Sequence, residues 1–128
     1  NVKCQPLRTV EIDAAKRSRK RAMAAEGKLR AKLKARVEAY GGEIRAVSWL
    51  GRRFAPDVLC LFPLGKVPTV PPSAFLDVEC FHPFIETKAP GGKPTIGQLR
   101  EHERMRAAGC VVLVISTEEQ LDAWLPPL

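Results

Sequence analysis

The sequence predicts an α/β domain in which a central mixed sheet is flanked by helices, in the order α, β, β, β, α, β, α. Three observations carry that expectation. An apolar stripe of helical period ends at a glycine pair near residue 41, and short apolar runs bounded by Gly and Pro recur through the middle. A capped helical segment then separates the last two of those runs. The length of 128 residues suits one core and leaves no room for a second.

Residues from about Asp13 to Tyr40 read as helix, because Leu29, Leu33, Val37 and Tyr40 recur at spacings of three and four. Gly41 and Gly42 stop it, since glycine tolerates the left-handed conformation past a helix end. Gly27 weakens the middle of this helix. The expected division is therefore a basic N-terminal arm or helix extension over residues 1–21 and a folded domain over 22–128. Ile44–Leu50 and Val58–Phe62 read as strands, the second continuously apolar, as in a strand covered on both faces. Gly51, Arg52, Arg53 and the turn Ala55-Pro56-Asp57 lie between them. Residues 63–73 hold four prolines and open an insertion spanning 63–82, within which Ala74–Cys80 reads as a short extra strand. Pro83–Lys88 is the third main strand and ends at Ala89-Pro90-Gly91-Gly92. A helix follows over Ile96–Ala108, with Thr95 as its cap and Gly109 as its stop. Val111–Ile115 is a β-branched strand, and Ser116 with Glu119 has the spacing of a capping box for a last helix through Trp124.

Composition narrows the class. Hydrophobic residues make up 45% and charged residues 27%, which is ordinary globular composition rather than disorder or a fibrous repeat. The longest apolar run, Cys110–Ile115, is far too short to cross a bilayer, and no secretory leader pattern opens the chain. A soluble, cytoplasmic domain is the expectation. Lys and Arg number 21 against 14 Asp and Glu, a net charge of +7. Ten of those basic residues lie between Lys16 and Arg36, a window whose single acid is Glu26. Such a patch attracts polyanions, nucleic acid above all, although a solvated helix face has the same composition. Cys4, Cys60, Cys80 and Cys110 form no C-x-x-C pair, so buried thiols are expected rather than disulfides. Cys80 and His82 lack the second pair that a zinc site needs.

Three features converge on chemistry. Pro56-Asp57 precedes a buried strand, placing a carboxylate at that strand's entrance. Glu86 and Lys88 lie two apart on Phe84-Ile85-Glu86-Thr87-Lys88, and side-chain alternation points both to one face. Burying an acid and a lysine unpaired would cost several kcal/mol, so their presence on an apolar strand needs a reason. Phosphodiester hydrolysis supplies one: two carboxylates can hold Mg²⁺, a hard cation that takes oxygen ligands. The metal polarises a phosphate oxygen and acidifies a bound water. An adjacent lysine can orient or deprotonate that water, or stabilise charge on the pentacovalent phosphorus.

Pro56-Asp57 followed by Glu86-Thr87-Lys88 resembles the PD-(D/E)xK nuclease signature, and the element order αβββαβ resembles that superfamily's restriction-endonuclease-like core. More narrowly, the chain resembles the VRR-NUC branch, the virus-type replication-repair nucleases. The residues that carry this are Glu26, Gly41-Gly42, Pro56-Asp57, Glu86 through Gly92, Gln98, and Ala107-Ala108-Gly109, over roughly residues 22–125. The resemblance implies that Asp57 and Glu86 are metal carboxylates, that the Thr87 carbonyl is a further ligand and that Lys88 is the catalytic lysine. Glu26 would reach the metal directly or through water, and Gln98 would orient Lys88 or the substrate. It also implies Mg²⁺ or Mn²⁺ as cofactor, branched or junction DNA as substrate, a homodimer, and a bacterial or bacteriophage-encoded protein. Lys16, Arg17, Arg19, Lys20, Arg21, Lys28, Arg52 and Arg53 are the expected DNA contacts.

Two features depart from the family's pattern. Ala55 stands where Gly usually precedes Pro-Asp, and the proline-rich insertion makes the interval from Asp57 to Glu86 long, with Asp77 and Glu79 as alternative acids. Each site residue also has a plainer reading. Glu26 can pair with Arg30 at i, i+4, Gln98 can close a capping box with Thr95, Asp57 can cap a turn after proline, and Glu86 and Lys88 can be an ion pair at a sheet end. His82 and His102 lack partners at catalytic spacing and read as structural or surface groups. Trp49 and Trp124 read as core. A non-catalytic DNA-binding module on the same fold is the competing function, and RNA as substrate stays open.

Overall fold

The computed structural model describes residues 9–63 and 82–128. Helix α1 spans Thr9–Ala39, β1 Glu43–Ala46, β2 Val58–Leu61, β3 Phe84–Thr87, α2 Ile96–Ala107, β4 Val112–Ile115 and α3 Glu118–Trp124. The strands form one mixed sheet in the order β1-β2-β3-β4, the restriction-endonuclease-like arrangement expected from the sequence. β1–β2 and β2–β3 are antiparallel and β3–β4 is parallel. The parallel step follows from α2, which carries the chain back so that β4 starts at the same end as β3. The extra strand expected at Ala74–Cys80, the alternative acids Asp77 and Glu79, and Cys4 and Cys80 lie outside the described residues.

Leu29, Leu33 and Val37 of α1 form the expected stripe and pack on Val58, Cys60, Ile85 and Ile115 of the sheet. α1 is continuous through Gly27, where a helical glycine costs about 1 kcal/mol relative to alanine. Packing of the stripe one turn later outweighs that cost. Residues 10–24 of the helix are exposed throughout. The glycine pair divides two tasks: Gly41 takes φ 83°, and Gly42 donates its N–H back to the Val37 carbonyl at 2.9 Å. A Cβ on Gly42 would sit 2.8 Å from the Leu61 carbonyl oxygen. The turn therefore seats α1 directly against the end of β2. Arg36 donates to Asp122 at 2.8 Å and to the Leu125 carbonyl at 2.7 Å, and the Tyr40 hydroxyl donates to the Pro126 carbonyl. These contacts tie the C-terminal segment to α1.

Several details differ from the sequence reading, the first being that α1 starts at Thr9 rather than about Asp13. β1 ends at Ala46 rather than Leu50, because its partner β2 begins at Val58, which pairs with Ala46. Beyond that point Trp49 turns back to donate its indole N–H to the Pro56 carbonyl at 2.6 Å and packs on Phe84. The capping box of α3 is Thr117 with Gln120, not Ser116 with Glu119. Ser116-Thr117-Glu118-Glu119-Gln120 holds both registers. The second wins because the Gln120 amide oxygen accepts from the backbone N–H groups of Ser116 and Thr117 together, at 2.7 and 3.3 Å.

The loop between β1 and β2 contains a strained residue. Phe54 has φ 67°, a conformation that costs a bulky residue about 1–3 kcal/mol. Its ring lies against Gly97 of α2, where any Cβ would come within 2.8 Å of the ring.

His102 of α2 is fully buried, and neither ring nitrogen has a hydrogen-bond partner among the described residues. Burial lowers its pKa below 6.5; Arg106 and Lys88 push in the same direction and Glu101 opposes them. Below about pH 6.5 the unfolded chain takes up a proton that the folded protein refuses. His102 therefore removes stability progressively as pH falls through that value and has no such effect above it. Urea unfolding should show wild type losing more stability between pH 7.5 and 5 than His102→Phe; equal losses would place the acid sensitivity elsewhere.

Candidate active site

β3 ends in Glu86-Thr87, followed by Lys88, and its pleat distributes them to two sides. On one side Glu86 is nearly buried, at 6% exposure, with Lys88 Nζ 3.6 Å from its Oε1. Gln98, in the first turn of α2, donates Nε2–H to the same Glu86 oxygen at 2.5 Å. The Gln98 amide oxygen meanwhile accepts from the Thr95 backbone at 2.9 Å. The capping-box reading of Gln98 holds, and the same side chain bonds Glu86 rather than Lys88, the partner expected from the resemblance.

On the other side, the Thr87 hydroxyl donates to Glu26 Oε1 at 3.1 Å and accepts from Arg30 Nη2 at 2.9 Å. Arg30 Nη2 also lies 3.0 Å from Asp57 Oδ2, and 4.0 Å from Glu26 Oε1. Glu26 and Arg30 stand one turn apart on α1, beside the buried stripe, so the packing that anchors the helix also delivers them to the sheet end. Asp57, at the entrance of β2, is half exposed.

The arrangement is electrostatically loaded. The pKa of Glu86 is raised above 4.5, first by burial and then by the Asp57 carboxylate, with a small contribution from Glu26, while Lys88 pulls it down. The acids are close enough to repel, and two cations hold them. Among the described residues no three His, Cys, Asp or Glu side chains close into a ready-made metal cluster. In donor type, however, Asp57, Glu86, Glu26 and the Thr87 carbonyl are all hard oxygens of the kind Mg²⁺ and Mn²⁺ take. Arg30 and Lys88 supply the positive charge beside these oxygens.

Glu26, Asp57, Glu86, Thr87, Lys88 and Gln98 thus come together from four elements. The proposed DNA contacts lie elsewhere. Lys16, Arg17, Arg19, Lys20 and Arg21 are exposed on the N-terminal half of α1. Lys28 is exposed and lines a groove with Lys32, which pairs with Glu118 at 2.5 Å. Arg52 is held by Glu101 through two bonds of 3.2 and 3.0 Å, whereas Arg53 is exposed. The sequence reading missed Arg30, which it weighed only as an i+4 partner of Glu26, and it missed the Thr87 hydroxyl. The i+4 spacing was the available signal for Arg30; its reach to Asp57, 27 residues on, depends on the fold.

No family model matches the chain. A protein of Acyrthosiphon pisum secondary endosymbiont phage 1 described as "Putative nuclease p44" is 41% identical over 76 residues, which are 59% of this chain and 64% of that protein. The match thus spans slightly less than two thirds of the relative's length. A solved structure described as "VRR_NUC domain" superposes with a TM-score of 0.60 at 37% identity, over 77% of this chain and 90% of that one. With the acid, lysine and glutamine of the signature gathered at one sheet end on the same fold, the chain belongs to the VRR_NUC family of nuclease domains.

Proposed function

We propose that the domain is a divalent-metal-dependent DNA endonuclease that acts on branched or junction DNA as a homodimer. The observation that carries the chemistry is the convergence of Asp57, Glu86 and Lys88 at the end of β3, with Gln98 bonded to Glu86. A Mg²⁺ or Mn²⁺ ion held by Asp57, Glu86, the Thr87 carbonyl and Glu26 would neutralise charge on a phosphate oxygen and acidify a water. Lys88, largely shielded from solvent, would orient that water through its ammonium group as the water oxygen attacks phosphorus and the bond from phosphorus to the leaving sugar oxygen breaks. The same positive charge would stabilise the added negative charge, and the proton lost by the water passes to solvent while the leaving oxygen takes one up. Gln98 keeps the Glu86 carboxylate from rotating. Arg30 carries the countercharge for Asp57 and Glu26 before a metal enters. The branched substrate and the dimer rest on the family resemblance.

Labelled duplex, forked and four-way-junction DNA, each with Mg²⁺, Mn²⁺ or EDTA, test this reading. Lys88→Ala should lower metal-dependent cleavage at least about a hundredfold while DNA binding persists. Metal-dependent cleavage at the wild-type rate in that variant would contradict the assignment, and binding without cutting in every metal would favour the non-catalytic module.

The exposed basic half of α1 makes a separate expectation. Replacing Arg17, Arg19 and Arg21 together with Gln should weaken DNA binding and flatten its dependence on salt, by about two to three units in the slope of log affinity against log salt concentration. An unchanged slope would remove this segment from the DNA interface.

A further inference from the structure

Between the β1–β2 loop and α2 lies a cleft of about 280 Å³ lined by Phe54 and by Arg52, Arg53, Arg100 and Arg104. Glu101, nearly buried, pairs with Arg52 at 3.0 Å and Arg104 at 3.6 Å, which fixes two of the four guanidinium groups. Arg53 and Arg100 are exposed and have no carboxylate partner among the described residues. Four guanidinium groups therefore face one carboxylate. Phe54 sits among them with half its surface open to solvent, in a left-handed backbone conformation and with its ring seated on the one α2 residue that has no Cβ.

A ring that served only to plug the loop onto α2 would be covered. This one is clamped from beneath and left open above, within a strongly cationic rim. Leu50, Ile96 and Leu99 are also exposed, which raises a second copy of the chain as an occupant. A two-fold contact across this cleft would set its arginines against the same arginines. A polyanion with flat apolar faces meets both the charge and the ring. Duplex DNA hides its base faces in the stack, whereas an unpaired nucleotide presents them, and base stacking on an aromatic side chain is the general means by which single strands are held.

We propose that this cleft takes an unpaired nucleotide of the DNA substrate, with its base stacked on Phe54 and its phosphates against Arg53 and Arg100. The inference rests on the nuclease reading and gives a physical basis for choosing DNA with an unpaired arm over continuous duplex. α2 couples the two places: Gly97 supports Phe54, and the next residue, Gln98, touches Glu86.

Binding in EDTA, followed by fluorescence anisotropy, tests the cleft independently of cleavage. The probes are a fork with an unpaired thymidine arm and a blunt duplex of equal length. Phe54→Ala should reduce the fork-over-duplex affinity ratio about tenfold, and Arg53→Gln with Arg100→Gln should weaken fork binding and flatten its salt dependence. Phe54→Trp should add an emission, above that of Trp49 and Trp124, which a saturating thymidine decamer quenches. An unchanged ratio in folded Phe54→Ala, or an unquenched emission in Phe54→Trp, would overturn the proposal. Should Phe54→Ala fail to fold, the tryptophan and double-glutamine variants decide. Conversion of a dimer to a monomer by Phe54→Ala, with the ratio unchanged, would assign the cleft to a second copy and overturn it as well. If wild type cuts no DNA in any metal, the nuclease reading fails while the binding ratio still decides what the cleft holds.

Discussion

The repulsion among Asp57, Glu86 and Glu26 at the end of β3 is the constraint around which the functional end of this domain is built. A carboxylate as buried as Glu86 costs several kcal/mol unless charge and hydrogen bonds compensate it. Burial and Asp57 together push its pKa up, and the compensation comes from separate places: Lys88 just past the end of β3 and Gln98 from α2. Asp57 and Glu26 are answered by Arg30 of α1. An apolar sheet end would have been easier to stabilise. Retaining the acids there keeps negative charge poised in a partly dry setting, where interaction with an incoming cation is strong.

The rest of the scaffold serves that placement, and several residues act twice. The stripe of Leu29, Leu33 and Val37 fixes α1 on the sheet, and the same helix face carries Glu26 and Arg30 to the β3 end. The Gly41-Gly42 turn sets the approach of α1 to β2, with Gly42 close against Leu61. Gln98 caps α2 and steadies Glu86 in one geometry. Glu101 anchors Arg52 and Arg104, so the arginine cleft and the acidic site share one helix. The N-terminal half of α1 stands apart, exposed and basic, as a segment whose charge owes nothing to the core.

Elements with strong local signals were legible in the sequence. The period of α1, the continuous apolar run of β2, the Thr95 cap and the β-branched run of β4 all appear where pattern places them, and the acids and lysine singled out by the resemblance lie near one another. What escaped depended on partners distant in the chain. The end of β1 is set by where β2 starts, which no local window contains. The α3 cap had two overlapping registers, and the choice turned on which amide oxygen could serve two backbone N–H groups. Arg30 gave only its i+4 relation to Glu26, because Asp57 and Thr87 reach it through the fold. Phe54 gave no sign of its backbone conformation, since a left-handed phenylalanine is a property of the packed loop and of Gly97 beneath it.

On the proposed metal-dependent reading, Arg30 holds the place of a cation between Asp57 and Glu26. Isothermal titration calorimetry of Mn²⁺ into wild type and Arg30→Ala tests it without any turnover. Removing a guanidinium group 3.0 Å from Asp57 should tighten Mn²⁺ binding roughly tenfold, and Asp57→Asn should abolish the gain. Equal or weaker Mn²⁺ affinity in a folded Arg30→Ala protein would contradict the account.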